Sequence, residues 1–185
     1  MSTTPGDPDP TLYIGRLSNS EAWYREAAAW SLGEIGNPRA ARPLAGLLLR
    51  EIRSVERSGY IAHAEVVRAV VMAIRRIGST EALYSLMQAL CVLTHSKGVD
   101  RETVAEIVES IAEVGGLTAV REAVDRVVRC ARECHPVCPG LHIVGSVLLG
   151  RLGLCGDAAV KTLRRLSRSG PPTLKPLARR TLQAL

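Results

Sequence analysis

A chain of 185 residues, 46% apolar and 23% charged, is long enough to bury one sizeable core without a disulfide framework. It has no Phe and only 3% aromatic residues, so Ala, Val, Leu and Ile must build that core, and its apolar runs fall far short of the roughly 18 to 20 residues of a membrane helix. The formal charge of +6 is one-sided: residues 121–185 hold 12 Lys and Arg against 4 Asp and Glu, whereas residues 1–120 hold 12 against 14.

Five cysteines make an odd count, and the opening MSTTPGDPDP has neither the basic end nor the apolar stretch of a secretory leader. A reducing cytoplasm is the expected setting, with no membrane partner. Residues 1–11, rich in Pro, Asp and Thr, read as a disordered head, and residues 12–185 as a single domain.

Along that domain one element recurs: AWSLGEIGNP, VMAIRRIGST, VESIAEVGGL and SVLLGRLGLC. Each places an aliphatic residue, another three positions later, then glycine: Leu32, Ile35, Gly36; Ile74, Ile77, Gly78; Ile111, Val114, Gly115; Leu149, Leu152, Gly153. Upstream of the glycines, Val67, Val70, Val71, Ile74 and Ile77, or Val104, Ile107, Val108, Ile111 and Val114, keep the spacing of a buried helical stripe. Glycine ends such a helix because it alone takes the left-handed cap conformation without a Cβ clash. A second helix then follows in each unit, with stripes at Ala41, Leu44, Leu47 and Leu48, at Leu83, Leu86 and Leu90, at Val120, Ala123, Val124 and Val127, and at Ala159, Leu163 and Leu166. Residues 171–185 predict one closing helix after Pro171 and Pro172. The polar stretches 53–62 and 94–100 are expected to connect one unit to the next. Trp23 and Trp30, seven apart, are expected to anchor the first hairpin.

The segment YREAAAWSLGEIGNPRAARPLAGLL, residues 24–48, resembles a HEAT repeat of the short type named after phycobilisome lyases, and weaker matches extend over about residues 20–170. The resemblance implies an all-α, right-handed α-solenoid of about four repeats plus a C-terminal capping helix, with first helices on the convex side and second helices on the concave one. Its implication for function is looser: such stacks mostly hold other macromolecules, and a subunit of a bilin-lyase-like or other enzyme assembly is conceivable only by analogy.

The stretch ECHPVCPGLH, residues 133–142, is the one place that suggests reaction chemistry. Zinc takes four thiolates or imidazoles in a tetrahedron, and Cys130, Cys134, Cys138 and His142, with His135 as a substitute for the last, form a candidate set. Against this, the spacing matches no zinc finger or ribbon, Pro136 and Pro139 stiffen the turn, and His142 falls at the stripe position of Val67 and Val104. The favoured reading is a corner between helices with packed or half-exposed thiols and a packed histidine, without a cofactor; a local disulfide is a further alternative. His63, His95, His135 and His142 are followed by Ala, Ser, Pro and Ile, so the His-Glu pairs of HEAT-type di-iron hydroxylases do not occur. No Gly-x-Ser-x-Gly elbow and no phosphate loop occur either, and the chain reads as a non-enzyme.

On the second helices, positions opposite the stripes face a groove. The candidates are Arg39, Arg42, Glu81, Tyr84, Gln88, Arg121, Arg126, Arg129 and Arg132, then Lys161, Arg164, Arg165 and Arg168. A protein or peptide with an acidic surface is the expected partner; nucleic acid is the alternative, although few aromatics are available to stack on bases.

Overall fold

The computed structural model describes residues 9–133 and 138–185, and among them there is no β-strand. Among the described residues nine α-helices follow in order: α1 (Thr11–Arg16), α2 (Ala22–Ile35), α3 (Ala41–Ser58), α4 (Ala64–Ile77), α5 (Leu83–Thr94), α6 (Arg101–Glu133), α7 (Leu141–Gly153), α8 (Asp157–Ser169) and α9 (Leu174–Gln183). Residues 1–8 of the expected disordered head lie outside the described residues, and α1 starts at Thr11.

The helices fall into two layers because each hairpin has one apolar stripe to bury on either side. First helices stack on first helices, α2 on α4, α4 on the first half of α6, that half on α7, and α7 on α9. Second helices follow beside them, α3 on α5 and α5 on α6. One apolar core runs through the stack from Leu17 to Ala178. The predicted stripes are its contents: Val67, Val70, Val71, Ile74, Val104, Ile107, Val108 and Ile111 on first helices are all fully buried, as are Leu44 and Leu48 on α3 and Val120 and Leu163 later in the chain. The architecture is an all-α solenoid of helical hairpins closed by α9.

Glycine works in two ways here, and the sequence pattern mixes them. Gly36 and Gly78 end α2 and α4 in the left-handed conformation, as expected. In the next units the left-handed glycines are Gly116 and Gly156, not Gly115 and Gly153. Gly116 breaks α6 into two halves, residues 101–115 and 117–133. A Cβ on Gly115 would lie 2.4 Å from that of Ala119 and 2.9 Å from Leu83, so Gly115 serves close packing. Gly33 does the same where α2 crosses α4, because a Cβ there would sit 2.8 Å from the Ala73 Cα.

Three further expectations change. The polar run 53–62 is mostly helix, since α3 continues to Ser58, and the connector is Gly59 to His63. Trp30 packs against the core beneath the Arg76 guanidinium, 5.6 Å from the ring centre, but Trp23 is exposed and stacks on Tyr24 instead. Ile111 is fully buried whereas Ile77 is half-buried, because the residue just before a cap glycine turns toward the surface.

The connectors stack on one another along one edge. The Lys97 amide donates to the Gly59 carbonyl at 2.9 Å, and the Gly140 amide to the Thr94 carbonyl at 2.9 Å, so neighbouring units are tied by backbone as well as by side chains. At the start of α6, Asp100 is the helix cap: it accepts from the Thr103 amide at 2.8 Å and the Thr103 hydroxyl at 2.6 Å. Burial alone would raise the Asp100 pKa, but these hydrogen bonds outweigh it and hold the carboxyl below its ordinary 3.8. Its stabilisation is therefore full above that value and is lost as pH falls through the lower, folded pKa. Replacing Asp100 by Ala is expected to cost about 1 kcal/mol at neutral pH, and urea titrations should show the gap to wild type narrowing below about pH 4.

Candidate functional site

Ion pairs differ between the two layers. On the first-helix layer, Arg68 of α4 reaches Glu102 and Glu106 of α6 at 3.1 and 3.4 Å, Arg75 pairs with Glu113, and Arg151 of α7 approaches Glu109 at 3.5 Å. The hydrogen bond between Arg75 and Glu113 raises the pKa of the arginine and lowers that of the glutamate. Acidic residues of the first half of α6 thus neutralise both flanking helices.

The second-helix layer is different. Arg42 meets Glu81 at 3.0 Å with both side chains exposed, so this link between the first two units contributes little to stability. Arg126 pairs with Glu122 at 2.9 Å and lies over the Tyr84 ring, 5.2 Å from its centre. Arg165 reaches Asp125 at 2.8 Å. Among the described residues, Arg39, Arg121, Arg129, Arg132, Lys161, Arg164 and Arg168 make no ion pair, and all are exposed.

Two concavities lie on this face. Between α3 and α5, adjoining cavities of about 200 and 410 Å³ share Gln88 and Val92; Leu49, Ile52 and Tyr84 line the smaller, and Val55, Cys91 and His95 the larger. Further along, α8 packs on α9 and α7 instead of closing on α6, and a cleft of about 270 Å³ is left between α6 and α8. Arg129, Arg132 and Arg165 surround it, Asp125 is the one carboxylate lining it among the described residues, and Val128 and Leu166 form an apolar floor.

The expected groove residues therefore divide. Tyr84 and Gln88 line the α3–α5 cavities, Arg126 bridges from Tyr84 along α6, and Arg129 enters the basic cleft. Arg39, Arg42, Glu81, Arg121, Arg164 and Arg168 line neither. Arg39, Arg42, Glu81 and Arg121 stand at the starts of second helices, near the turns.

The cysteine-histidine stretch does not assemble as expected. Cys134 and His135 lie outside the described residues. Cys138 is buried and disulfide-bonded, which leaves it no thiolate to offer an ion and corrects the reading of thiols throughout. His142 is exposed, because Leu141 and Val144 take the buried positions of α7 and the stripe begins one residue earlier than its alignment with Val67 suggests. Cys130 is free and half-buried, and its neighbour is Cys91 of α5. Burial, followed by a hydrogen bond with Cys130, pushes the Cys91 thiol up to about 12 against the pull of Arg126 and Arg129, so it stays protonated and is no nucleophile at neutral pH. Among the described residues no group of three or more His, Cys, Asp or Glu is placed to hold a metal ion.

A polar cluster that the sequence reading passed over lies at the other end. Arg25 and Glu51 are both buried, and the Arg25 Nε donates to Glu51 at 2.8 Å. Arg25 also donates to the carbonyls of Asn19 and Ser20 at 3.0 and 2.7 Å, holding the turn before α2. The His63 Nδ1 lies 3.0 Å from Glu51 and 3.3 Å from Arg25; a protonated Nδ1 donating to the carboxylate is the shorter and charge-assisted contact, and it decides the tautomer. Both charges lie on apolar stripes, Arg25 with Ala28, Ala29 and Leu32, Glu51 with Leu44, Leu47 and Leu48. A charge on a stripe was the available signal.

The model of the PBS lyase HEAT-like repeat matches residues 24–50, which span α2, the turn after Gly36 and the first half of α3. Residues 24–50 therefore match a HEAT-like repeat, set within an all-α solenoid. Within the match, Arg25 holds the turn before α2, Gly33 lets α2 approach α4, and Gly36 caps α2. No curated protein matches the chain. Among solved structures it is similar to an engineered protein known from a crystal structure, at 15% identity over 95% of this chain and 96% of that one, with a TM-score of 0.34. Among the described residues no helix is long and apolar enough to cross a membrane.

Proposed function

We propose that this HEAT-like repeat protein is a non-catalytic scaffold whose second-helix face holds an acidic stretch of another protein. The observation that carries the reading is the cleft between α6 and α8, where three arginines meet one aspartate over an apolar floor. Arginine favours such a role because its planar fork pairs bidentately with carboxylates and is weakly hydrated. The reading assigns no zinc and no other cofactor. The setting assigned in this reading is the cytoplasm.

Nucleic acid is the competing occupant, and the aromatic side chains weigh against it. Among the described residues Tyr84 is the one Phe, Trp or Tyr lining these cavities, whereas the stacked Trp23 and Tyr24 lie on α2, in the first repeat. Single-stranded binders use several aromatic platforms along the basic track.

The test is a triple reversal, Arg121, Arg129 and Arg164 to Glu, with an oligoglutamate peptide and a single-stranded oligonucleotide as probes. All three side chains are exposed, so the melting temperature should hold. Peptide binding should fall by at least about tenfold and respond only moderately to salt. If the oligonucleotide binds more tightly than the peptide and weakens steeply with salt, the partner is nucleic acid. If neither probe responds to the reversal, the basic face is only solvated.

A further inference from the structure

The two concavities of the second-helix face differ in charge and are linked through α6. The smaller cavity between α3 and α5 sets Leu49, Ile52 and Val92 beside the exposed Tyr84 ring, with Arg53 and Gln88 as its polar lining. The cleft between α6 and α8 is ringed by guanidinium groups. Arg126, which lies over Tyr84, and Arg129, one turn further along the same helix and in the cleft, join them without a break. Helices packed side by side stand about 8–10 Å apart, and two such steps separate the α3–α5 cavity from the α6–α8 cleft. The distance is therefore about 20 Å, which an extended strand rising about 3.3 Å per residue covers in about six residues.

We infer that the occupant is an extended segment of another protein carrying one large apolar side chain for the Tyr84 cavity and, about six residues away, two or more carboxylates for the Arg129–Arg132 cleft. This rests on the scaffold reading and adds the bipartite pattern and its spacing. The apolar half gives the acidic half a register. Carboxylates alone slide along a row of arginines at little cost, because each meets a similar field, whereas a side chain seated against Ile52 and Val92 has one position. The aliphatic floor of the cleft, Val128 and Leu166, suits the methylene groups of Glu beneath its charge.

A displayed library of random twelve-residue peptides, selected on the full chain, tests this directly. Enriched peptides should combine Leu, Ile, Met or an aromatic residue with at least two Asp or Glu about five to seven positions away. Tyr84→Glu and Arg132→Glu, both at exposed side chains and so expected to fold, should each weaken a consensus peptide by about tenfold. Placing the two halves only two residues apart should have a similar effect. Acidic peptides enriched without an apolar partner at fixed spacing, or binding indifferent to Tyr84→Glu, would overturn the bipartite pattern and leave the scaffold reading standing. Enrichment of no peptide, binding unchanged in Arg132→Glu, or displacement of the peptides by single-stranded DNA in a steeply salt-dependent manner would overturn both.

Discussion

Glu51→Ala is expected to destabilise the protein by about 3–5 kcal/mol, the range for removing one partner of a buried ion pair. Arg25 is buried, at 6% exposure, and would remain in place without its carboxylate. It would keep the Asn19 and Ser20 carbonyls but lose the acceptor at Nε, while His63 would lose the group that orients its ring. Glu51→Gln, which retains an acceptor but no charge, should fall between wild type and Ala. Replacing both partners together, Arg25→Met with Glu51→Leu, should recover much of the loss, because no orphaned charge is left. Chemical denaturation followed by circular dichroism provides the readout. A loss under about 1 kcal/mol for Glu51→Ala would mean that water reaches the pair and screens it.

Ile111→Ala should cost about 2–5 kcal/mol, through lost burial and the cavity left behind. Ile111 has no exposed surface and lies on the half of α6 that packs against both α4 and α7, so it serves two repeat interfaces at once. In a stack whose stability is a sum of units and nearest-neighbour contacts, weakening the middle also loosens cooperativity, and the denaturant slope should fall with the midpoint. Ile111→Val should cost only about 0.5–1.5 kcal/mol. The half-buried Ile77 provides the contrast, and Ile77→Ala should cost clearly less than Ile111→Ala. Equal losses at the two sites would show that the pattern of burial across the repeats is misread.

Regular burial is what made the hairpins legible. A stripe such as Val104, Ile107, Val108 and Ile111 specifies both the helix and its inward face, because the 3.6-residue period leaves those side chains no other shared side. The frame around the glycines was less secure, since glycine serves two needs. Gly115 and Gly116 are adjacent, one closely packed and one left-handed, and nothing local in the chain separates these uses. The stretch 133–142 misled for a related reason: aligning His142 with Val67 put it on the stripe, and a shift of one residue turned it out to solvent.

By itself the sequence determined the all-α class, the alternation of first and second helices, the C-terminal closing helix and the concentration of positive charge after residue 120, all of which follow from local periodicity and composition. Only the tertiary structure decided which charges are neutralised and which stay available. Arg68 and Arg75 are as basic as Arg129 and Arg132, yet the first two face carboxylates of the next repeat and the other two face an open cleft. The pairing of Arg25 with Glu51 and the gap between α6 and α8 are of the same kind. Each depends on residues some 25 or more apart in the chain, or on how closely two helices approach, and these are set by the packing of whole layers rather than by the period of any one helix.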